Sequence, residues 1–159
     1  MTKTIQNGRY KIRRSQDQES VIISAGSANS VAILAPDDYP GVTGIWILTI
    51  DPSNPPSTSV ALEGAVSATL QHEHTKAYLT LDNPNSPLVF SSILVSSDAK
   101  QVWTINPAIS NEYHIVYPNL VDEEVLVVDN SLEVVYPRRM ALRDFDNDMT
   151  FPWRFEPVV

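Results

Sequence analysis

The residues with catalytic potential are few and poorly assembled. His72-Glu73-His74 would set two imidazoles on one face of a strand, as a metal pair requires, but no third ligand stands at a fitting spacing. A polar loop or edge is the favoured reading of that triplet. His114 follows Tyr113 inside an apolar run and reads as a structural histidine. With 3 histidines in all and no serine in a G-x-S-x-G setting, a hydrolase triad is hard to build. Asp144-Phe145-Asp146-Asn147-Asp148 imitates the start of a calcium loop. It fails where such a loop needs glycine and a final glutamate, since Met149 and Phe155 stand there. A paired-carboxylate glycosidase needs a deep cleft, which a small filled barrel does not offer. The expectation is a protein that is not an enzyme, with no cofactor and no metal.

Composition narrows the alternatives. The 159 residues, 43% hydrophobic and 19% charged, suit one globular domain spanning 1–159. A net charge of −8 opposes phosphate backbones, so nucleic acid is not an expected partner. No apolar run approaches the ~20 residues of a membrane span, and no membrane partner is expected. The absence of cysteine excludes disulfides and thiolate chemistry. The opening residues lack an apolar signal core, so the chain reads as cytoplasmic, with release on tissue damage. Arg9, Lys11 and Arg13 alternate with Tyr10 and Ile12, which places cations along one face of a strand. A solvated face is the favoured reading of that stripe, with a small anion or acidic-partner patch as the alternative.

The elements that would position any site are short strands. Candidates are 9–13, 20–24, 30–35, 45–50, 59–62, 77–81, 88–94, 101–105, 112–117, 124–128, 132–136 and 153–156, rich in Val, Ile, Thr and Tyr and separated by turn-forming residues. The stretch 61–71 is ambiguous and has room for one helical turn. Trp46, Trp103 and Trp153 lie 57 and 50 residues apart, each in a similar phrase that runs into a proline. Gly8-Arg9-Tyr10-Lys11-Ile12 and Asn111-Glu112-Tyr113-His114-Ile115 share a second phrase, with Tyr10 36 residues before Trp46 and Tyr113 40 before Trp153. By that spacing the matching strand of the middle unit falls near Val60-Ala61-Leu62, without its tyrosine. The pattern predicts an all-β fold, a β-trefoil of twelve strands in three pseudo-repeats (roughly 1–56, 57–109 and 110–159). Its expected form is a closed six-stranded barrel with a three-hairpin cap, plugged by the tryptophans, each covering on the order of 200 Å².

Gln101-Val102-Trp103 is a single Q-x-W triplet, the core mark of ricin-B-type lectins, which makes carbohydrate binding one reading. The order Asn7-Gly8-Arg9-Tyr10-Lys11-Ile12, Val102-Trp103-Thr104-Ile105, Glu112-Tyr113-His114-Ile115 and Pro152-Trp153-Arg154-Phe155 resembles fungal β-trefoil protease inhibitors across nearly the whole chain. The likeness is nearest to the cospin-type serine protease inhibitors of mushrooms. It extends more distantly to the mycocypins and cocaprins, which act on cysteine and aspartic proteases.

The resemblance implies a defensive protein that docks a loop of a rigid barrel in a peptidase active site, most naturally a trypsin-like serine protease. It places the reactive loop between the second and third strands, at Gly26, Ser27, Ala28, Asn29 and Ser30, with Asn29 as the first candidate contact. Arg13 and Arg14, entering the first loop, and Arg138 and Arg139, after Tyr136-Pro137, are the alternative cations for a trypsin-like pocket. The first loop, Ser15-Gln16-Asp17-Gln18-Glu19, lacks the glycine that mycocypin-like binding would use.

Overall fold

The computed structural model describes residues 4–14, 20–24, 30–36, 44–82, 94–109, 111–132, 138–146 and 149–159. All regular structure in them is strand: β1 Gly8–Arg14, β2 Ser20–Ser24, β3 Ala32–Pro36, β4 Ile45–Ile50, β5 Val66–His72, β6 Tyr78–Leu81, β7 Leu94–Ser97, β8 Trp103–Pro107, β9 Glu112–Val116, β10 Leu126–Asn130, β11 Arg138–Asp144 and β12 Trp153–Pro157. No helix among them is long and apolar enough to cross a membrane.

The pairings repeat three times. β1 faces β4 with Tyr10 opposite Trp46. β5 faces β8 with Ala68 opposite Trp103, and β9 faces β12 with Tyr113 opposite Trp153. Each indole is buried and needs an acceptor for its N–H. Trp46 Nε1 donates to Ile22 O (2.9 Å), Trp103 Nε1 to Leu79 O (3.0 Å) and Trp153 Nε1 to Val128 O (2.9 Å). The fourth strand of every unit is thus tied to its second. Two residues beyond each tryptophan, Leu48, Ile105 and Phe155 are also buried. Ile12, Leu70 and Ile115, two beyond each cross-strand partner, are fully buried with them, as a period of two requires.

The middle unit therefore opens on β5, and Ala68 holds the place that Tyr10 and Tyr113 hold in the others. The expectation at 59–62 is corrected. That segment is a turn on the outer wall of the barrel, where Asn106 donates from Nδ2 to Val60 O (2.8 Å) and accepts from Leu62 N (3.0 Å). Gly64, at φ 85°, makes the left-handed turn that leads into β5. The stretch given room for a helical turn holds strand from Val66 onward. Tyr10 and Tyr113 stand edge-on to Phe155, each at 5.7 Å, while Tyr117 meets Trp103 edge-on at 6.4 Å.

The six-strand circuit that was expected closes, and a longer circuit is added to it. β1, β4, β5, β8, β9 and β12 pair in succession. Hairpins β2–β3 and β10–β11 also join edge to edge through Leu34 opposite Arg138 and Ile33 opposite Arg139. A closed circuit of nine strands results, β1-β2-β3-β11-β10-β9-β8-β5-β4, with β12 bridging β1 and β9 across it. Hairpin β6–β7 hangs from β5. β11 was expected at 132–136, of which 133–136 fall outside the described residues. It lies at Arg138–Asp144 because Met140 and Leu142 enter the core between charged ends that hide the alternation. β7 lies at Leu94–Ser97, after the expected 88–94, of which 88–93 fall outside the described residues.

Trp103→Ala removes a fully buried indole and orphans Leu79 O. It should cost ~3–5 kcal/mol, read as a large fall in the denaturant midpoint with little change in slope. A wild-type midpoint would contradict the pinning role.

Candidate functional site

Most residues singled out in the sequence turn out to be engaged in the scaffold. Gly26, Ser27, Ala28 and Asn29 lie outside the described residues, and so does the first loop at 15–19. Ser30 is half-buried, with its carbonyl accepting from Ser96 N (2.8 Å). Arg9 pairs with Glu73, and Arg13 Nε donates to Glu156 across the β1–β12 ladder (2.7 Å). The cation stripe on β1 is therefore partly neutralised by acids of β12 and of the turn after β5, which counts against the anion patch. Arg138 and Arg139 are exposed, but they lie in β11 rather than in a loop.

Arg14 is built into the interior. Its guanidinium donates to Asp129 (3.0 Å), whose side chain is fully buried, and sits over the rings of Phe151 (5.7 Å) and Trp153 (5.6 Å). Asp129 also accepts from the backbone N–H of Asn130 (2.7 Å) and Phe151 (3.1 Å). Three donors thus converge on one buried carboxylate, the condition under which a buried charge is tolerated.

His72 and His74 do not form a pair. His72 is fully buried, edge-on to Trp46 at 5.3 Å, with Nδ1 accepting from Thr75 N (3.2 Å), while His74 is exposed in the turn. Of the acidic loop, Asp146 closes a backbone turn with Thr150, whose N–H and hydroxyl both donate to Asp146 O (2.8 Å each). Asn147 and Asp148 lie outside the described residues. Gln101 of the Q-x-W triplet folds onto Val102 O (2.9 Å).

What the structure assembles instead is an open cleft of about 510 Å³ between the second and third units. Unit two lines it with Leu62-Glu63 and Pro107-Ala108-Ile109, and unit three with Glu112 and His114 of β9 and the wall segment Thr150-Phe151-Pro152. Each wall is fixed from behind. Asn106 holds Leu62, and Asp129 with Arg14 holds Phe151. Ile109 and Leu62 are strongly exposed at the rim. Nδ1 of His114 is buried without a hydrogen-bond partner among the described residues, and its ring lies edge-on to Phe145 at 5.1 Å. Burial pulls its pKa down, against the carboxylates of Asp129 and Glu112, which raise it. The arrangement joins apolar surface, carboxylate acceptors and an imidazole in a shape that can hold a small polyhydroxylated molecule. A smaller cleft of about 320 Å³ lies at the barrel mouth beside Tyr10, Tyr113 and Phe155.

Glu63, Glu112 and Phe151 escaped sequence reasoning as site residues. The available signal was that Glu112 and His114 alternate with Tyr113 and so share the outer face of β9.

No protein-family model matches the sequence, and no curated protein matches it either. Solved structures do match in fold. Rhizoctonia solani agglutinin superposes with a TM-score of 0.71 at 14% identity, over 99% of this chain and 100% of the agglutinin. The Macrolepiota procera ricin B-like lectin, solved in complex with lactose, gives 0.71 at 17% identity over 99% and 100%. A mosquitocidal holotoxin gives 0.72 at 13% identity over 98% of this chain, which spans only 18% of the toxin's length. The fold is that of the β-trefoil proteins. None of these likenesses is to a protease inhibitor, so that part of the sequence expectation finds no counterpart.

Two measurements follow from the site's supports. Asp129→Asn leaves Arg14 without its buried counter-charge and should cost ~3–5 kcal/mol in denaturant unfolding. A loss under about 1 kcal/mol would show that the pair does not hold the wall. His114 is held below its ordinary value of 6.5. The unfolded chain therefore binds more protons just below that pH, and stability falls as pH drops through 6.5. Glu73 and Glu156, lowered by Arg9 and Arg13, add a second loss only below about 4.5. Thermal melts across this range should show both losses, and His114→Gln should shrink the upper one while leaving the lower unchanged.

Proposed function

We propose that the chain is a carbohydrate-binding β-trefoil module, acting without catalysis and without a cofactor. The carrying observation is the cleft between units two and three. Phe151, Pro152, Leu62 and Ile109 line it together with Glu112 and His114. Apolar wall residues suit the C–H face of a pyranose, and carboxylate oxygens accept from its hydroxyls. Support comes from the full-length likeness in fold to an agglutinin and to a lectin with lactose bound. The Q-x-W triplet contributes a buried indole and a glutamine folded onto Val102 O, so it supports the scaffold rather than the cleft.

Protease inhibition is the second reading. The observation on its side is that Arg138 and Arg139 are exposed next to each other. Both are paired to β3 in the sheet, opposite Leu34 and Ile33, which withholds their backbone from a protease cleft. Arg13 and Arg14 are engaged as described, which leaves the trypsin-like mode resting on Arg138 and Arg139 or on the loop at 25–29.

A glycan array should return hits, and Phe151→Ala should weaken the best of them about tenfold or more in direct titration while the fold persists. In parallel, a panel of serine, cysteine and aspartic proteases should be uninhibited at micromolar protein. An empty array together with inhibition that Arg139→Ala abolishes would reverse the order of the two readings.

A further inference from the structure

The candidate cleft carries charge of one sign. Its ionisable lining residues are Glu63, Glu112 and His114. Among the described residues neither Glu63 nor Glu112 has an ion-pair partner, whereas Arg9, Arg13 and Arg14 are each bound to an acid elsewhere. The cation directly across the ladder from Glu112 is Arg154. It is turned to Glu156 at 3.6 Å and lines the smaller cleft at the barrel mouth instead.

His114 does not offset this charge at neutral pH. A proton added to its buried Nδ1 would find no acceptor among the described residues, and the ring lies against Phe145. The charged groups acting on it are Glu112 on its own strand and Asp129 on β10, and Asp129 is already answered by Arg14. The chain as a whole, at −8, adds to the negative field.

We infer that the cleft selects a sugar bearing a protonated primary amine over the same sugar in its N-acetylated form, and repels a uronic acid. The inference rests on the carbohydrate reading above. An ammonium supplies three N–H donors to carboxylate oxygens that have no cation of their own, and charge-assisted bonds of this kind are the stronger ones. The ring's apolar face lies against Phe151 and Pro152. N-acetylation removes the charge, and a carboxylate at C6 meets two like charges.

The test is calorimetric titration of the intact protein, at neutral pH and low salt, with glucosamine, N-acetylglucosamine and glucuronic acid, and with the three galacto counterparts. In at least one series the amine should bind on the order of tenfold tighter than the N-acetyl form, with no binding of the uronic acid. Added salt should shrink that ratio. The double variant Glu63→Gln with Glu112→Gln, whose changed side chains lie at the surface and in the cleft lining, should bring it toward one. Equal affinities for amine and N-acetyl forms, or preference for the acid, overturn the inference and leave the carbohydrate reading standing. An unchanged ratio in the double variant also overturns it, by placing selection elsewhere. Failure of all six sugars to bind a protein that melts cooperatively overturns the inference, and an empty glycan array beside it overturns the carbohydrate reading as well.

Discussion

A tryptophan that is fully buried must still satisfy its indole N–H, and in this chain that requirement organises the fold. Each of the three indoles reaches a main-chain carbonyl on the second strand of its own unit, so the position of the fourth strand over the second is fixed by a hydrogen bond as well as by packing. The registers of the barrel follow from it. Once Trp46, Trp103 and Trp153 are set, the residues opposite them and two beyond them are assigned to the interior by strand alternation alone. Loops leave this frame at fixed places and vary without disturbing it.

The cleft illustrates how the frame reaches outward. Phe151 stands two residues before Trp153 and shares its anchorage, since Arg14 lies over both rings and Asp129 binds the Phe151 backbone. Arg14 ends β1 and Asp129 lies in β10, so strands from the first and third units together hold one wall. The other wall belongs to unit two. A cleft lined by two repeats and braced by the third explains why no single stretch of sequence announces it.

The strands built on strong alternation were readable from sequence nearly to the residue, as at Ser20–Ser24 and Ile45–Ile50. The failures have separate physical causes. Val60-Ala61-Leu62 has strand composition, but its backbone groups are taken by an amide side chain 46 and 44 residues away, an interaction with no local signature. Ala68 stands where the other two units have tyrosine, so the cue for β5 is missing. In β11 the charges at both ends masked the buried Met140 and Leu142. At the site level, Arg13 and Arg14 looked free because their partners Glu156 and Asp129 are 143 and 115 residues distant. Shared surfaces made by distant repeats are a tertiary property, and periodicity reports only which face a residue occupies.

The Asn106 carboxamide, bonded to both Val60 and Leu62, has a consequence for how the connection between β4 and β5 can change over time. A long link with both ends fixed has many arrangements, and its closure entropy depends on its whole length. A tether at its middle splits that link into two short spans that are ordered independently. The exposed span at 52–55 is then open to insertion or deletion, because nothing added there propagates past the tether to Leu62 and Glu63. Length variation in the family of chains sharing this amide would collect on one side of it, while the cleft wall on the other side kept its shape.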